Sequence, residues 1–519
     1  VPGKNEELFF TGGILLRRGF VKCAAALAAA FLTTISILQQ VLEILKSKEV
    51  YYSMSITATK NNKLGTEPIP GLLFRMALPS VLAQVVNLLY NMVDRAFVGH
   101  IAGTGSLALA GLGIVLPITM IVTAFAQLIG AGGAPRAAIA MGEGHYEKAE
   151  QILGQCTCML AGVSVALFIV FQVFCDPILT LFGANAQTLP YASAYLRIYL
   201  IGTFFVMIAL GLNAFITNQG YAKTSMATTC VGALLNLILD PILIYGFDMG
   251  VVGAAVATVI SQAVSALMVL GFLMSKKGFI HIGRKWFRLK KDLVISILAL
   301  GSSPFTMGIT ECVVQLTYNI SMAHYGYLYV SLQSILFSLI QFVWMPLNGF
   351  AQGASPIISY NYGAGQLDRS RETFRLLFLT DLLFSISAVA IIVAFPGAVL
   401  RIFSNDASLL NMGVLPLRVY ILGMAAMGAQ SACQNTFLAL GQAKISMFLA
   451  CLRKLFLIWP LALILPHLFG LGVWGLFLAE PIADFTAGIV TFTVFCLRSR
   501  KLLHAPDEAD AGLRIRRRK

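Results

Sequence analysis

The sequence predicts an all-α polytopic membrane protein, with twelve transmembrane helices in two pseudo-symmetric six-helix bundles. Three observations predict it. Of 519 residues, 58% are hydrophobic and only 12% charged, whereas a soluble chain carries about a quarter charged residues. Lipid is the solvent that tolerates so much apolar surface. The apolar residues also fall into twelve stretches of the length that crosses a bilayer core, about 20 residues each. Finally, landmarks in the first six stretches recur in the second six at a near-constant offset.

Read in order, the spans lie near 72–99, 107–132, 149–174, 192–216, 225–247 and 251–275, then 293–322, 328–352, 371–395, 416–440, 445–466 and 472–497. Basic residues set the topology. The gap after span 6 holds Lys276, Lys277, Arg284, Lys285, Arg288, Lys290 and Lys291, and the other even gaps carry Arg136, Lys148, Lys223, Arg369, Arg371, Arg375 and Lys444. The odd gaps hold only Arg401. By the positive-inside rule both ends of the core are expected on the cytoplasmic side. Arg197 and Arg418, near the expected outer ends of spans 4 and 10, are mild exceptions that snorkelling accommodates.

The expected organisation is an N-terminal lobe over 61–275, a basic linker over 276–292, a C-terminal lobe over 293–500 and a basic tail over 501–519. Residues 1–60 stand apart as a leader or upstream extension. There Arg17, Arg18 and Lys22 precede the apolar run 23–38, as in a signal peptide or an extra span, while Met54 reads as an alternative start. The formal charge of +14 sits between apolar stretches and in the tail, which points to anionic lipid and not to nucleic acid. The nine cysteines are scattered, without the spacing of a disulfide framework or a zinc site.

The two halves are legible residue by residue. Gly142 and Gly363 open matching loops 221 residues apart; Leu196-Arg197-Ile198-Tyr199 and Leu417-Arg418-Val419-Tyr420 keep that offset, as do Gly220 and Gly441. The register slips to 222 at Gly250 and Gly472, and to 228 at Tyr90 and Tyr318. Six spans per half preserve orientation, so the halves are related by an axis along the membrane normal. Parallel repeats of this kind belong to transporters, with substrate handled between bundles that rock against each other. A monomer, without cofactor, suffices for that plan.

Ionisable residues inside spans cost about 2.5–3.5 kcal/mol each on insertion scales and so call for explanation. With a rise of about 1.5 Å per residue, Asp94 lies about 8 Å and Asp240 and Thr258 about 10 Å below the outer surface. Asn236 shares a helix face with Asp240. Asp94, Asn236, Asp240 and Thr258 can therefore converge as a site for protons or for a hard cation such as sodium. The alternative is a helix-end turn at Asp240-Pro241 and an Asp94–Arg95 pair. In the second half, Arg453 with Glu480 and Asp484 reads as a structural ion pair. Glu311 reads either as a second cation or substrate carboxylate or as a packed neutral acid. Aromatic and methionine side chains such as Phe205, Met207, Tyr318 and Met424 could line a pocket for flat apolar cations, although most such residues are ordinary lipid- or core-facing ones. No catalytic motif is present, so an enzyme is not expected.

The run Pro79–Gly99, the segment Leu107–Gly113, Asn236-Leu-Ile-Leu-Asp240-Pro241, Gly349–Pro356 and Asn361–Gly365 together resemble the MATE (multidrug and toxic compound extrusion) family, most closely its bacterial DinF/MepA-like branch. The resemblance implies a V-shaped pair of lobes exporting small organic cations against inward protons or sodium. It also implies a cation site at Asp94, Asn236, Asp240 and Thr258, and it makes Glu311 the candidate for the seventh-helix carboxylate of other members. The tenth-helix acid that accompanies that carboxylate is absent, with Gln430, Gln434 and Asn435 in its place. A lipid-linked precursor flippase of the same superfamily is the alternative reading, and a non-transporting scaffold or receptor is a third.

Overall fold

The computed structural model describes residues 62–503, apart from 102–104, 284–285, 402, 404–405 and 469. The expected leader and the tail beyond 503 lie outside the described residues. Twelve helical spans follow in order: α1 (Ile69–Gly99), α2 (Leu107–Gly142), α3 (Tyr146–Val173), α4 (Leu189–Ile201 with Thr203–Asn218), α5 (Ala222–Gly246), α6 (Gly250–Met274), α7 (Lys291–Ala323), α8 (Leu328–Gly363), α9 (Leu367–Ala394), α10 (Ser408–Ala439), α11 (Ala443–His467) and α12 (Val473–Ser499). No strand occurs among the described residues.

Two departures from the sequence reading have physical causes. Helices α2 and α8 run about ten residues past the expected ends, to Gly142 and Gly363. Pro135-Arg136 and Pro356 interrupt the hydropathy there, but helix packing holds the helices together beyond them. Span 4 is not straight: it bends by 56° at Gly202. A Cβ on Gly202 would come within 2.8 Å of Val259 on α6. Its counterpart 221 residues on, Gly423, marks the break in α10, and a Cβ there would come within 2.7 Å of Pro481 on α12. In each half the fourth helix thus breaks where a bare glycine lets it press on the sixth.

Within the first half α2 packs on α3 and α4, α1 on α5, and α6 on α4 and α5; the second half repeats the pattern with α8 on α9 and α10, α7 on α11, and α12 on α10 and α11. The halves meet through α1–α8, α2–α7 and α2–α8. That seam is closest at the end of the molecule that carries the linker. There a Cβ on Gly301 would run into the Leu128 carbonyl, one on Gly132 into Ile297, one on Gly142 into Tyr360 and one on Gly363 into Ile139. Backbones that approach this closely leave room only for glycine. Toward the middle of the membrane the contacts become side-chain ones, Phe125 edge-on to Phe305 and Cys312 against Met120.

The linker lies on the first bundle. Gln219 Oε1 accepts from the backbone N–H groups of Phe279 and Ile280 at 2.8 and 3.1 Å. Tyr221 donates its hydroxyl to the Lys277 carbonyl, and Trp286 Nε1 donates to Glu150 at 3.1 Å. Gln155 donates to the Arg288 carbonyl, and Ile280 is wholly buried.

Candidate cation sites

The first site forms where α1, α5 and α6 approach one another toward the end opposite the linker. Four residues separate Asn236 from Asp240, one helical turn, and Asn236 Nδ2 donates to Asp240 Oδ1 at 3.2 Å. Helix α5 continues past Asp240-Pro241 into a π-helical segment, Ile242–Gly246, so no chain end turns there. Tyr245 at its close donates to the Phe97 carbonyl of α1 at 2.6 Å. This clasp holds α5 against α1 and brings Asp240 face to face with Asp94. Arg95 is exposed and forms no ion pair with Asp94 among the described residues.

Three oxygens at this place, Asp94 Oδ1, Asp240 Oδ2 and Asn236 Oδ1, are buried without a hydrogen-bond partner among the described residues. The Thr258 hydroxyl donates to the Ala254 carbonyl at 3.0 Å, which leaves its lone pairs available. Two carboxylates facing each other in a desolvated place repel, so the pair is stable with a shared proton or a bound cation. Toward the linker end the site continues into a pocket lined by Asn87, Tyr90, Asn213, Thr229 and Gln262 together with apolar residues such as Ala209 and Leu210.

Two further side chains complete this site and were not singled out from the sequence. Tyr90 precedes Asp94 by one turn and lies beside both acids. Tyr195 reaches Thr258 from α4, stacked on Tyr199. The signal for Tyr90 was its i, i+4 spacing to Asp94; nothing in the sequence reveals Tyr195, which arrives through the bend of α4.

In the second bundle Arg453 and Lys454 occupy a π-helical stretch of α11, Leu452–Ile458. As sequence neighbours on a helix they face different partners. Arg453 Nε donates to Asp484 at 2.7 Å and its Nη2 reaches Glu480 at 3.5 Å, all three side chains being buried. The guanidinium lies over the Trp344 ring, 5.9 Å from its centroid. Lys454 pairs with Glu311 of α7 at 2.5 Å. Glu311 is thus paired with a lysine from α11 and is not an isolated packed acid.

One buried acid escaped the sequence reading altogether. Asp381 on α9 is fully buried. The signal was present, because it is the only charged residue between Leu376 and Phe395.

The family model MatE matches this chain twice, over residues 79–242 and 305–464, once in each half. The multidrug export protein MepA of Staphylococcus saprophyticus is 28% identical over 434 residues, covering 82% of this chain and 94% of that protein. The protein of the same name from Staphylococcus aureus is 25% identical over 437 residues, covering 83% and 95%. Among solved structures, a multidrug resistance MATE family transporter of the MOP superfamily in an outward-facing conformation aligns with a TM-score of 0.80 at 22% identity, over 86% of this chain and 99% of that one. A MOP superfamily transporter from Pyrococcus furiosus aligns equally well, with TM-score 0.80 and 22% identity over 87% and 100%. These likenesses concern the fold. A duplicated twelve-helix chain with one family match per half has a single reading: the protein belongs to the MatE family and is a MATE transporter, not an enzyme.

Proposed function

We propose that this transporter is a secondary antiporter that exports small organic cations in exchange for protons or sodium. The observation that carries this reading is the Asp94–Asp240 pair, with Asn236 and Thr258 beside it and three oxygens lacking partners. Such a site is built to take up a small monovalent cation and to change charge when it does so. The two bundles, 61–275 and 293–500, act as the lobes, and their glycine seam closes the linker end while access opens on the other side. In this reading the linker end faces the cytoplasm of a bacterial cell, both ends of the core lie there, and the chain works as a monomer in the inner membrane. The substrate class is supported by the relatives, which are named multidrug export proteins.

A lipid-linked precursor flippase is not favoured. Its pyrophosphate would call for free basic side chains in the cleft, whereas Arg453 and Lys454 are already engaged by Asp484, Glu480 and Glu311.

The test is efflux of a fluorescent organic cation from sealed vesicles, with proton and sodium gradients imposed separately. Export driven by one gradient and lost in both Asp94→Asn and Asp240→Asn is expected and names the ion. Export that persists in both variants would overturn the site assignment, and no export under either gradient from folded protein would overturn the antiport reading.

A further inference from the structure

Asp381 lies halfway along α9, and its side chain is fully buried. Neither carboxyl oxygen has a hydrogen-bond partner of regular geometry among the described residues. Across the helix seam, α10 presents Gly428, where a Cβ would run into the Asp381 backbone and the Ser385 hydroxyl. One turn on, the Ser431 hydroxyl is the polar neighbour of the carboxyl. Asn435 Nδ2 donates to Ser431 Oγ at 3.3 Å, so the serine keeps its own proton free to turn toward Asp381. Asn435 is partly exposed, whereas Ser431 and Asp381 are sealed.

Among the described residues, no countercharge faces Asp381 from any helix packed on α9. Helix α8 has no charged residue, and the one on α10, Arg418, donates to the Val393 carbonyl near the far end. On α1, Arg75 pairs with Glu67, while Asp94 and Arg95 lie at the far end of the other bundle. On α12, Glu480 and Asp484 are held by Arg453, and Arg498 sits at the linker end. Arg401 belongs to the short helix after α9, and the charged residues of α9 itself, Asp368 to Arg375, lie in its first turns. Among the described titratable groups the Cys433 thiol lies near it.

The internal repeat shows that packing alone does not call for an acid. Helices α3 and α9 have the same length and are offset by 221 residues at both ends. The position matching Asp381 is Leu160, equally buried, pressed against Gly211. The same fold position is therefore filled by a hydrocarbon in one half and by a carboxyl in the other. An ionised carboxylate there, without a cation or a hydrogen bond, would cost several kcal/mol, and one hydroxyl does not make the oxygen cage that sodium requires.

We propose that Asp381 is a second proton-binding site, in the C-terminal bundle and separate from the Asp94–Asp240 pair, which gives up its proton during transport. The O–H bond of the acid breaks, its electron pair stays on the carboxylate, and the proton leaves through the Ser431 hydroxyl to water on the Asn435 side. This inference rests on reading the protein as a cation-coupled antiporter.

The test uses the full chain and two variants, Asp381→Asn, which mimics the protonated acid, and Asp381→Leu, the residue the first bundle already packs at this position. Infrared difference spectra across a pH titration should show a protonated carboxyl band in the wild type that is missing in both variants and retained in Asp94→Asn. Proton release from detergent-solubilised protein on adding a saturating organic cation should fall by one proton per molecule in Asp381→Leu, with cation affinity within about two-fold of wild type. An unchanged band, or release equal to wild type, would overturn the proposal. Absence of release in the wild type as well would instead strike at the antiport reading, and the infrared band would still report whether Asp381 holds a proton.

Discussion

Replacing Arg453 by leucine tests whether the buried charges of the second bundle are structural. Arg453 is 5% exposed and Asp484 fully buried, and Asp484 Oδ2 already lacks a hydrogen-bond partner among the described residues. Removing the guanidinium leaves Asp484 with no hydrogen-bond partner among the described residues and takes one of two neighbouring cations from Glu480. Breaking a buried pair by deleting one member costs about 3–5 kcal/mol, because the other charge stays desolvated and uncompensated. The double variant Arg453→Leu/Asp484→Asn removes that orphan and should recover at least about 2 kcal/mol, a coupling typical of residues in one network. The assay is equilibrium unfolding in mixed micelles on wild type, both single variants and the double. A single arginine variant within about 1 kcal/mol of wild type, or strictly additive effects, would refute the structural role assigned here.

Three other outcomes follow from the same structure. Gly301→Val should prop open the seam against the Leu128 carbonyl; overpacking costs about 1–3 kcal/mol, which shifts the populations of closed and open seam about 5- to 150-fold, and spin labels at the linker ends of α2 and α7 should move apart. Lys454→Met leaves Glu311 beside Cys312 with its nearest cation gone, so it should lower the melting temperature, and Glu311→Gln in the same chain should restore most of it. On the short helix between α3 and α4, the Asp176 carboxyl is held below the usual carboxylate range by the Ser193 hydroxyl of α4 and by Arg197, which pairs with it directly. Its contribution is therefore present above about pH 4, the unfolded value, and fades as the pH falls through the lower folded value. Asp176 is half exposed, so Asp176→Asn should cost well under about 1 kcal/mol at neutral pH, and the difference in melting temperature should vanish in acid.

Composition and periodicity sufficed for the twelve helices because the bilayer imposes a length that any apolar run must meet. The same physics misjudged α2 and α8, whose last turns are held by glycine contacts across the seam and not by lipid. The spacing of Asn236 and Asp240 fixed their common face, and depth arithmetic put Asp94 at the same level. What brings them together is the Tyr245–Phe97 clasp after Pro241, which depends on a π-helical turn that no propensity reveals. Similarly, two adjacent bases on α11 and three acids on α7 and α12 were visible, yet which acid takes which base follows from helix rotation. Asp381 was overlooked for a different reason. It has no partner to converge with, and convergence was the signal followed.

Among the described residues the linker is bonded to the first bundle at Gln219, Tyr221, Glu150 and Gln155, and it runs into the second where α7 begins at Lys291. The covalent joint between the halves is thus a short stretch near Leu289 and Lys290, while their recognition resides in the bare-glycine surfaces of α2, α7 and α8, those of α8 seated on Ala77 and Val81 of α1. A gene cut at that joint would yield two six-helix polypeptides that carry their own matching faces. Co-expressed, they would rebuild the transporter without a peptide bond between them, which gives a way to label or replace one half while the other stays as it is.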